Sequence, residues 1–179
     1  GYMNAVAASS VRGTIQDPFA ISEENGILRV LTTEWSENSK NQLFLLDENL
    51  KLLGSLRDIA TGEEIYAARY IGDIAYFITY HNTDPLFAVD ISNPKNPKML
   101  GQLKVTGYSD YLHPYGKNHL LGIGYETDPE TSDRLGVKLT MFDTSDPKKL
   151  TVIDSVVVKG TECSAESDYK CALEKKKKN

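Results

Sequence analysis

An all-β chain is what the sequence predicts, and three observations predict it. Apolar runs of four to eight residues, rich in Val, Ile, Leu, Phe, Tyr and Thr, recur between turns of Gly, Asn, Asp and Pro. No window carries a 3.6-residue apolar stripe, and Gly or Pro interrupts every stretch long enough for a helix. The runs also recur as sets. "NGILRVLTT" (Asn25 to Thr33), "GDIAYFITY" (Gly72 to Tyr80) and "KNHLLGIGY" (Lys117 to Tyr125) begin 47 and then 45 residues apart. A period of that size marks a stacked repeat architecture.

Each unit opens on a short run led by an aromatic residue: Phe19, Tyr66 and Tyr111, again 47 and 45 apart. The central run follows, then "LFLLDE", "LFAVDI" or "LTMFDT", each closing on an aspartate: Asp47, Asp90, Asp143. After a turn come "KLLGSL", "KMLGQL" and "TVIDSV". Four short strands in one period make one antiparallel blade, and three blades are expected at about 17–57, 64–105 and 109–158. Middle runs such as "IAYFIT" are apolar on both faces, as a sheet sandwiched between neighbours requires. Four-stranded sheets stacked about an axis form a β-propeller, with the Phe19, Tyr66 and Tyr111 strands innermost.

The flanks fit the same scheme. Residues 1–16 read as the last strand and exit loop of a preceding blade, and 159–179 as the opening of a next blade with a Lys-rich tail. Propellers close with about 4–8 blades. Three blades therefore predict part of a larger propeller, or a unit that self-associates through open apolar faces.

The turns explain the pairing of apolar runs. Asp90-Ile91-Ser92-Asn93-Pro94 and Asp143-Thr144-Ser145-Asp146-Pro147 occupy one place in their blades. Proline fixes φ and donates no hydrogen bond, so it ends the third strand; Asn93 or Asp146 before it bonds its own backbone and tightens the turn. Asp90 and Ser92 are turn makers on this reading, with cation ligation the sharper alternative. Blade one lacks the insertion: "DENLKLLG" is four residues shorter than "DISNPKNPKMLG".

These units resemble the β-propeller domain family of predicted secreted bacterial and archaeal proteins, distantly akin to WD-repeat propellers and to those with an L-V-I-V-D signature. The resemblance is carried by "DPLFAVDISNPKNPKMLGQLKVTGYSDYLHPY", with "GILRVLTT" and "MFDTSDP" in support, and covers most of Asp17 to Val158. It implies a propeller fold and a secreted or cell-surface setting. No catalytic signature travels with it, and fold does not imply function.

Bulk chemistry narrows the classes. A net charge of −5 with a pI near 5.2 argues against nucleic acid as a partner. No apolar run approaches the roughly 18 residues of a membrane span. The start "GYMNAVAASS" lacks the charged and apolar regions of a signal peptide. Cys163 and Cys171, eight positions apart, are too few for a disulfide framework or a four-ligand zinc site; they are idle thiols or one local disulfide. His113 and His119 flank a tight hairpin, "HPYGKNH", but two ligands make a weak metal site. The acidic insertion Asp128 to Asp133 lacks the spacing and glycine of a calcium loop. No nucleophile elbow, phosphate loop or dinucleotide fingerprint is present. No cofactor is expected.

Charge is divided unevenly between the two ends of the blades. Loops joining strands two to three, and blade to blade, share one face. That face collects Asp17, Glu34, Glu37, Asp58, Glu63, Glu64, Asp84, Asp110, Glu126, Asp128, Glu130 and Asp133 against Lys40, Arg57 and Arg134. The opposite face is nearly balanced by Lys51, Lys95, Lys98, Lys117, Lys148 and Lys149. A single-signed face on a rigid scaffold attracts counter-charged partners. The expected ligand-binding residues are Trp35, Glu63, Glu64, His81, Tyr108, Asp128 and Glu130, taking a cation or a basic protein. Trp35 itself reads either as an exposed platform or as a cap on the blade core. The expected function is a non-catalytic binding or scaffold module; the alternative is part of a propeller hydrolase or lyase with its site in the central channel.

Overall fold

The structure, a computed structural model, describes residues 6–80, 84–128, 131 and 133–158. His81, Glu130, Cys163 and Cys171 lie outside the described residues. Three four-stranded antiparallel sheets account for nearly all regular structure. The first holds β1 (Ile21–Glu24), β2 (Ile27–Glu34), β3 (Lys40–Leu46) and β4 (Leu52–Ile59). The second holds β5 (Glu64–Ile71), β6 (Ile74–Tyr80), β7 (Asp84–Asp90) and β8 (Lys98–Val105). The third holds β9 (Tyr108–Tyr115), β10 (His119–Thr127), β11 (Arg134–Asp143) and β12 (Thr151–Val158). Strands lie side by side in chain order, as in propeller blades.

The second sheet is packed between the other two. Leu31, Leu43 and Leu45 of the first sheet meet Ala75, Phe77, Phe87 and Val89 in one buried cluster. On its other face, Tyr76, Ile78, Leu86 and Ala88 meet Leu112, Leu120 and Phe142 of the third sheet and Leu150 just before β12. Each fully buried Leu or Phe contributes roughly 1.5–3 kcal/mol. β6 accordingly buries five consecutive residues, Ala75 to Thr79, whereas β10 alternates. An alternating strand has a covering neighbour on one side only. The open face of the third sheet is thus already written in its strand pattern.

The inner strands converge. β5 packs along β9, and the entry to β1 packs on β5. Phe19 departs from expectation: it sits in a 3-10 turn, Pro18–Ala20, ahead of β1. Pro18 suits that position, and the Asp17 carboxylate caps the turn by accepting from Phe19 N at 2.9 Å. The other oxygen of Asp17, which is buried, accepts from Ala68 N across the blade boundary at 2.6 Å. A bulge in β5 falls at Tyr66, because Ile65 faces Thr79 and Ala67 faces Ile78. β9 has the same bulge at Asp110, since Ser109 faces Gly124 and Tyr111 faces Ile123. Structurally, then, Tyr66 matches Asp110, and the sequence alignment of Tyr66 with Tyr111 is one residue out of register.

The repeated turns close as their residue types require. Asp47, Asp90 and Asp143 accept from Asn49 N, Ser92 N and Ser145 N at 2.9, 2.9 and 2.8 Å. Asn93 and Asp146 accept from Lys95 N and Lys148 N at 3.1 and 3.0 Å. Hydrogen bonds from the side chain and backbone of Ser92 hold Asp90 below the usual carboxylate range, and those of Ser145 do the same for Asp143. Each Pro turn then rests on a glycine of the preceding blade. A Cβ on Gly101 would stand 2.8 Å from the Pro147 carbonyl oxygen, and one on Gly54 would overlap that of Pro94.

Candidate functional site

Antiparallel pairing gathers the start of each inner strand, the end of each second strand and the blade-to-blade connections at one end of the sheets. Sheets two and three meet there in a cluster of four tyrosines. Tyr66 lies 5.5 Å from Tyr80 and 5.9 Å from Tyr108, centroid to centroid. Tyr108 is 5.4 Å from Tyr80 and 5.6 Å from Tyr125. Edge-to-face and tilted pairs at such separations are the favoured aromatic geometries. Gly107, with φ +70, lets the chain turn into β9 where any Cβ would overlap the Tyr125 carbonyl oxygen.

Arg134, at the start of β11, completes the cluster from outside. Its guanidinium lies 4.2 Å from the Tyr125 centroid and 5.6 Å from that of Tyr108. Tyr108 is 8% exposed, and burial pushes its phenol up. Burial likewise pushes the Asp110 carboxyl up, although Arg134 pulls it down. Tyr66 is the most open of the rings, 37% exposed. The cluster is therefore a ring stack with a rigid base, an open rim and charge of both signs beside it.

The residues singled out in the sequence are placed as follows. Glu64 faces Tyr80 across the β5–β6 pair. The Glu63 carboxylate accepts from the Thr79 hydroxyl, and its peptide oxygen accepts from Asn41 Nδ2 at 3.1 Å. These two, with Tyr108, lie along the tyrosine cluster. Trp35 is held elsewhere: its Nε1 donates to Thr14 Oγ1 at 2.8 Å, and half of it is exposed. Asp128 closes its own loop, accepting from Thr131 N at 3.0 Å while its amide donates to Asp133 O at 2.9 Å.

Several acids of this face are engaged internally. Asp17 is buried. Glu126 receives Lys138 Nζ at 2.5 Å, and the same ammonium donates to Thr106 O at 2.7 Å. Asp58 pairs with Lys40 at 3.0 Å. What sequence reasoning missed is Tyr66, Tyr80, Tyr125, Arg134 and Asp110 as one group. A signal existed: Tyr80 and Tyr125 fall 45 residues apart, at the same place in consecutive units.

A second cluster lies on the inner strands. Arg69 of β5 sits 3.6 Å from the Phe19 centroid and 5.2 Å from that of Tyr111. Its Nε and Nη2 donate to Leu112 O at 2.8 and 2.6 Å. The Tyr111 hydroxyl is 3.2 Å from His113 Nδ1. Three blades therefore share one cation–aromatic contact at the axis. Among the described residues, no three His, Cys, Asp or Glu side chains gather as a metal site.

A family model described as a β-propeller domain matches residues 1–179. The chain belongs to the β-propeller domain family. An uncharacterized protein of Methanocaldococcus jannaschii is 45% identical over 145 residues, 79% of this chain and 22% of that protein. One of Archaeoglobus fulgidus is 42% identical over 145 residues, 80% of this chain and 22% of that protein. The chain thus spans little more than a fifth of these relatives. Among solved structures, cobalt-substituted apocarotenoid oxygenase of Synechocystis aligns at a TM-score of 0.46 and 14% identity, covering 73% of this propeller chain and 35% of its own. A Bacteroides caccae protein of unknown function aligns at 0.43 and 15%, covering 77% and 48%. No helix among the described residues is long and apolar enough to cross a membrane.

Proposed function

We propose that this propeller unit is a non-catalytic binding module of a secreted or cell-surface protein, and that it takes a basic protein segment. One observation carries the reading: the tyrosine stack of sheets two and three already holds a guanidinium, that of Arg134, 4.2 Å from Tyr125. Tyr66, 5.9 Å from Tyr108, offers a comparable ring; Glu64 stands two residues before it and Asp110 two residues after Tyr108, so an incoming Arg or Lys would find an aromatic face and a counter-charge. Loops on a rigid scaffold are where recognition residues collect.

The test is titration of the chain with a hexa-arginine peptide at several salt concentrations, followed by tyrosine fluorescence. Binding should weaken as salt rises. Tyr66→Ala and the triple reversal Glu64→Lys, Asp128→Lys, Glu130→Lys should each weaken it about tenfold or more. Reversal of Lys95, Lys98, Lys148 and Lys149 to Glu should leave it nearly unchanged. Equal loss from both reversals rejects the assignment.

The second reading is a hydrolase or lyase site on the inner strands, favoured by the Tyr111–His113 contact beside Arg69. A hydroxyl, an imidazole and a fixed cation are acid–base material. It predicts turnover of a chromogenic ester that His113→Gln removes and Tyr66→Ala spares.

A further inference from the structure

Three arginines of the chain meet acids. Arg29 pairs with Glu24, Arg12 with Glu34, and Arg134 acts on Asp110. Arg69 of β5 does not. Among the described residues no carboxylate pairs with it, although the chain carries 25 Asp and Glu. It stands half-buried on an inner strand, where the blades converge.

The guanidinium is held in place by its neighbours. Its Nε and Nη2 donate to Leu112 O at 2.8 and 2.6 Å, and it lies 3.6 Å from the Phe19 centroid and 5.2 Å from that of Tyr111. A guanidinium offers five N–H donors in a planar fork. Two are engaged by Leu112, and no described group accepts from Nη1. The Nη1–Nη2 edge is therefore unengaged, and that edge receives a carboxylate through two parallel hydrogen bonds.

The first blade crossing shows what the second lacks. There Asp17 brings its carboxylate to the inner edge of β5, accepting from Ala68 N at 2.6 Å. Leu112 holds the corresponding place in β9, since Ala68 faces Phe77 and Leu112 faces Gly122, 45 residues further on. At Leu112 a cation arrives instead, and no described acid accompanies it. The surroundings are aromatic and partly open. Phe19 is 41% exposed, and His113, with Nδ1 3.2 Å from the Tyr111 hydroxyl, is exposed as well.

We propose that Arg69 anchors an anion site at the axis, and that its ligand is an organic monocarboxylate with a flat apolar body. The carboxylate takes the Nη1–Nη2 edge, and the body lies along Phe19 and Tyr111. One cation with one unengaged edge matches one carboxylate, whereas a phosphate dianion would bring charge that nothing here meets. Apolar walls strengthen the attraction by focusing the field of the cation. The site is separate from the tyrosine stack and rests on neither reading given above.

Isothermal titration of the full 179-residue chain with benzoate tests the site, with benzyl alcohol as the uncharged counterpart. Benzoate should bind saturably and more weakly as salt rises, and benzyl alcohol about tenfold less tightly or worse. Benzoate should also protect Arg69 from phenylglyoxal, read by peptide mass spectrometry, and leave the exposed Arg57 reactive. None of these measurements needs a variant. Arg69→Gln and Arg69→Lys should each weaken benzoate about tenfold or more, lysine because a point charge supplies no fork. Circular dichroism checks that both remain folded. Arg57→Gln and Tyr66→Ala should leave binding unchanged. Absence of saturable binding overturns the proposal, as does equal binding of benzyl alcohol or failure to protect Arg69. So does a loss on Arg57→Gln or Tyr66→Ala as large as that on Arg69→Gln, because the anion would then lie elsewhere.

Discussion

Gly101 lies so near Pro147 that a Cβ on it would stand 2.8 Å from the proline carbonyl oxygen. The contact joins the outer strand of blade two to the turn of blade three, and the same contact joins Gly54 to Pro94. Gly101→Ala should therefore destabilise the chain by about 1–3 kcal/mol, the usual effect of forcing a methyl into filled space. Gln102→Ala, one residue on and exposed, should stay within about 0.5 kcal/mol. Urea denaturation of the two variants distinguishes a docking contact from a mere lapse in strand propensity.

Asp17 holds two amides at once, Phe19 N in its own blade and Ala68 N in the next. Asp17→Ala should cost about 1.5–3 kcal/mol, because buried donors lose a charged acceptor. Asp17→Asn keeps one acceptor oxygen and should cost less. Thermal unfolding that ranks alanine no worse than asparagine would contradict a shared role for both oxygens.

Lys138 and Glu126 form a largely buried pair, with side chains 9% and 19% exposed. Breaking such a pair from one side leaves an unpaired charge. Lys138→Met should cost about 3 kcal/mol, the low end for buried pairs because Glu126 keeps some contact with water. The double variant Lys138→Met, Glu126→Gln should recover much of that loss. Additive losses in the double-mutant cycle would show the two residues to be energetically independent.

Asp110 and Asp143 should respond to pH with opposite signs. Burial raises the folded pKa of Asp110, so the folded chain binds more protons than the unfolded one just above the ordinary carboxyl pKa. Asp110 then withdraws stability as pH rises from about 4, and Asp110→Asn should gain on the wild type over that window. Hydrogen bonds lower the folded pKa of Asp143, so its stabilisation is present at neutral pH and lost as pH falls through that lowered value. The gap between wild type and Asp143→Asn should therefore narrow on acidification. Denaturant midpoints measured across the acid range read both slopes.

The three sheets were legible because blade repeats impose position-specific demands that one sequence displays three times. The both-faces-apolar run "IAYFIT" marked the enclosed sheet, and Asp-x-Ser-Asn/Asp-Pro marked turns whose hydrogen bonds the structure contains. Register at the inner strands was not legible. The bulges at Tyr66 and Asp110 add a residue without any Gly or Pro to mark it, so an alignment on aromatic residues slips by one. The site was only partly legible for a related reason. Net charge counts Asp17 and Glu126 as surface acid, whereas one is itself buried where it caps a turn and the other neutralises a buried lysine. Asn41, fully buried and donating to the peptide oxygens of Ile59, Ala60 and Glu63, gave no sign of its role in holding the first blade crossing.

The enclosed position of the second sheet also sets how the molecule comes apart. Among the described sheets, and apart from the Phe19–Tyr111 contact at the axis, each end sheet packs against the middle one. Release of an end blade breaks one interface, while release of the middle blade breaks both. Cooperative units in such a linear stack open from the ends inward. Amides of β6 and β7 should then exchange with solvent deuterium only through global unfolding, and those of β12 through fraying that leaves the other blades intact.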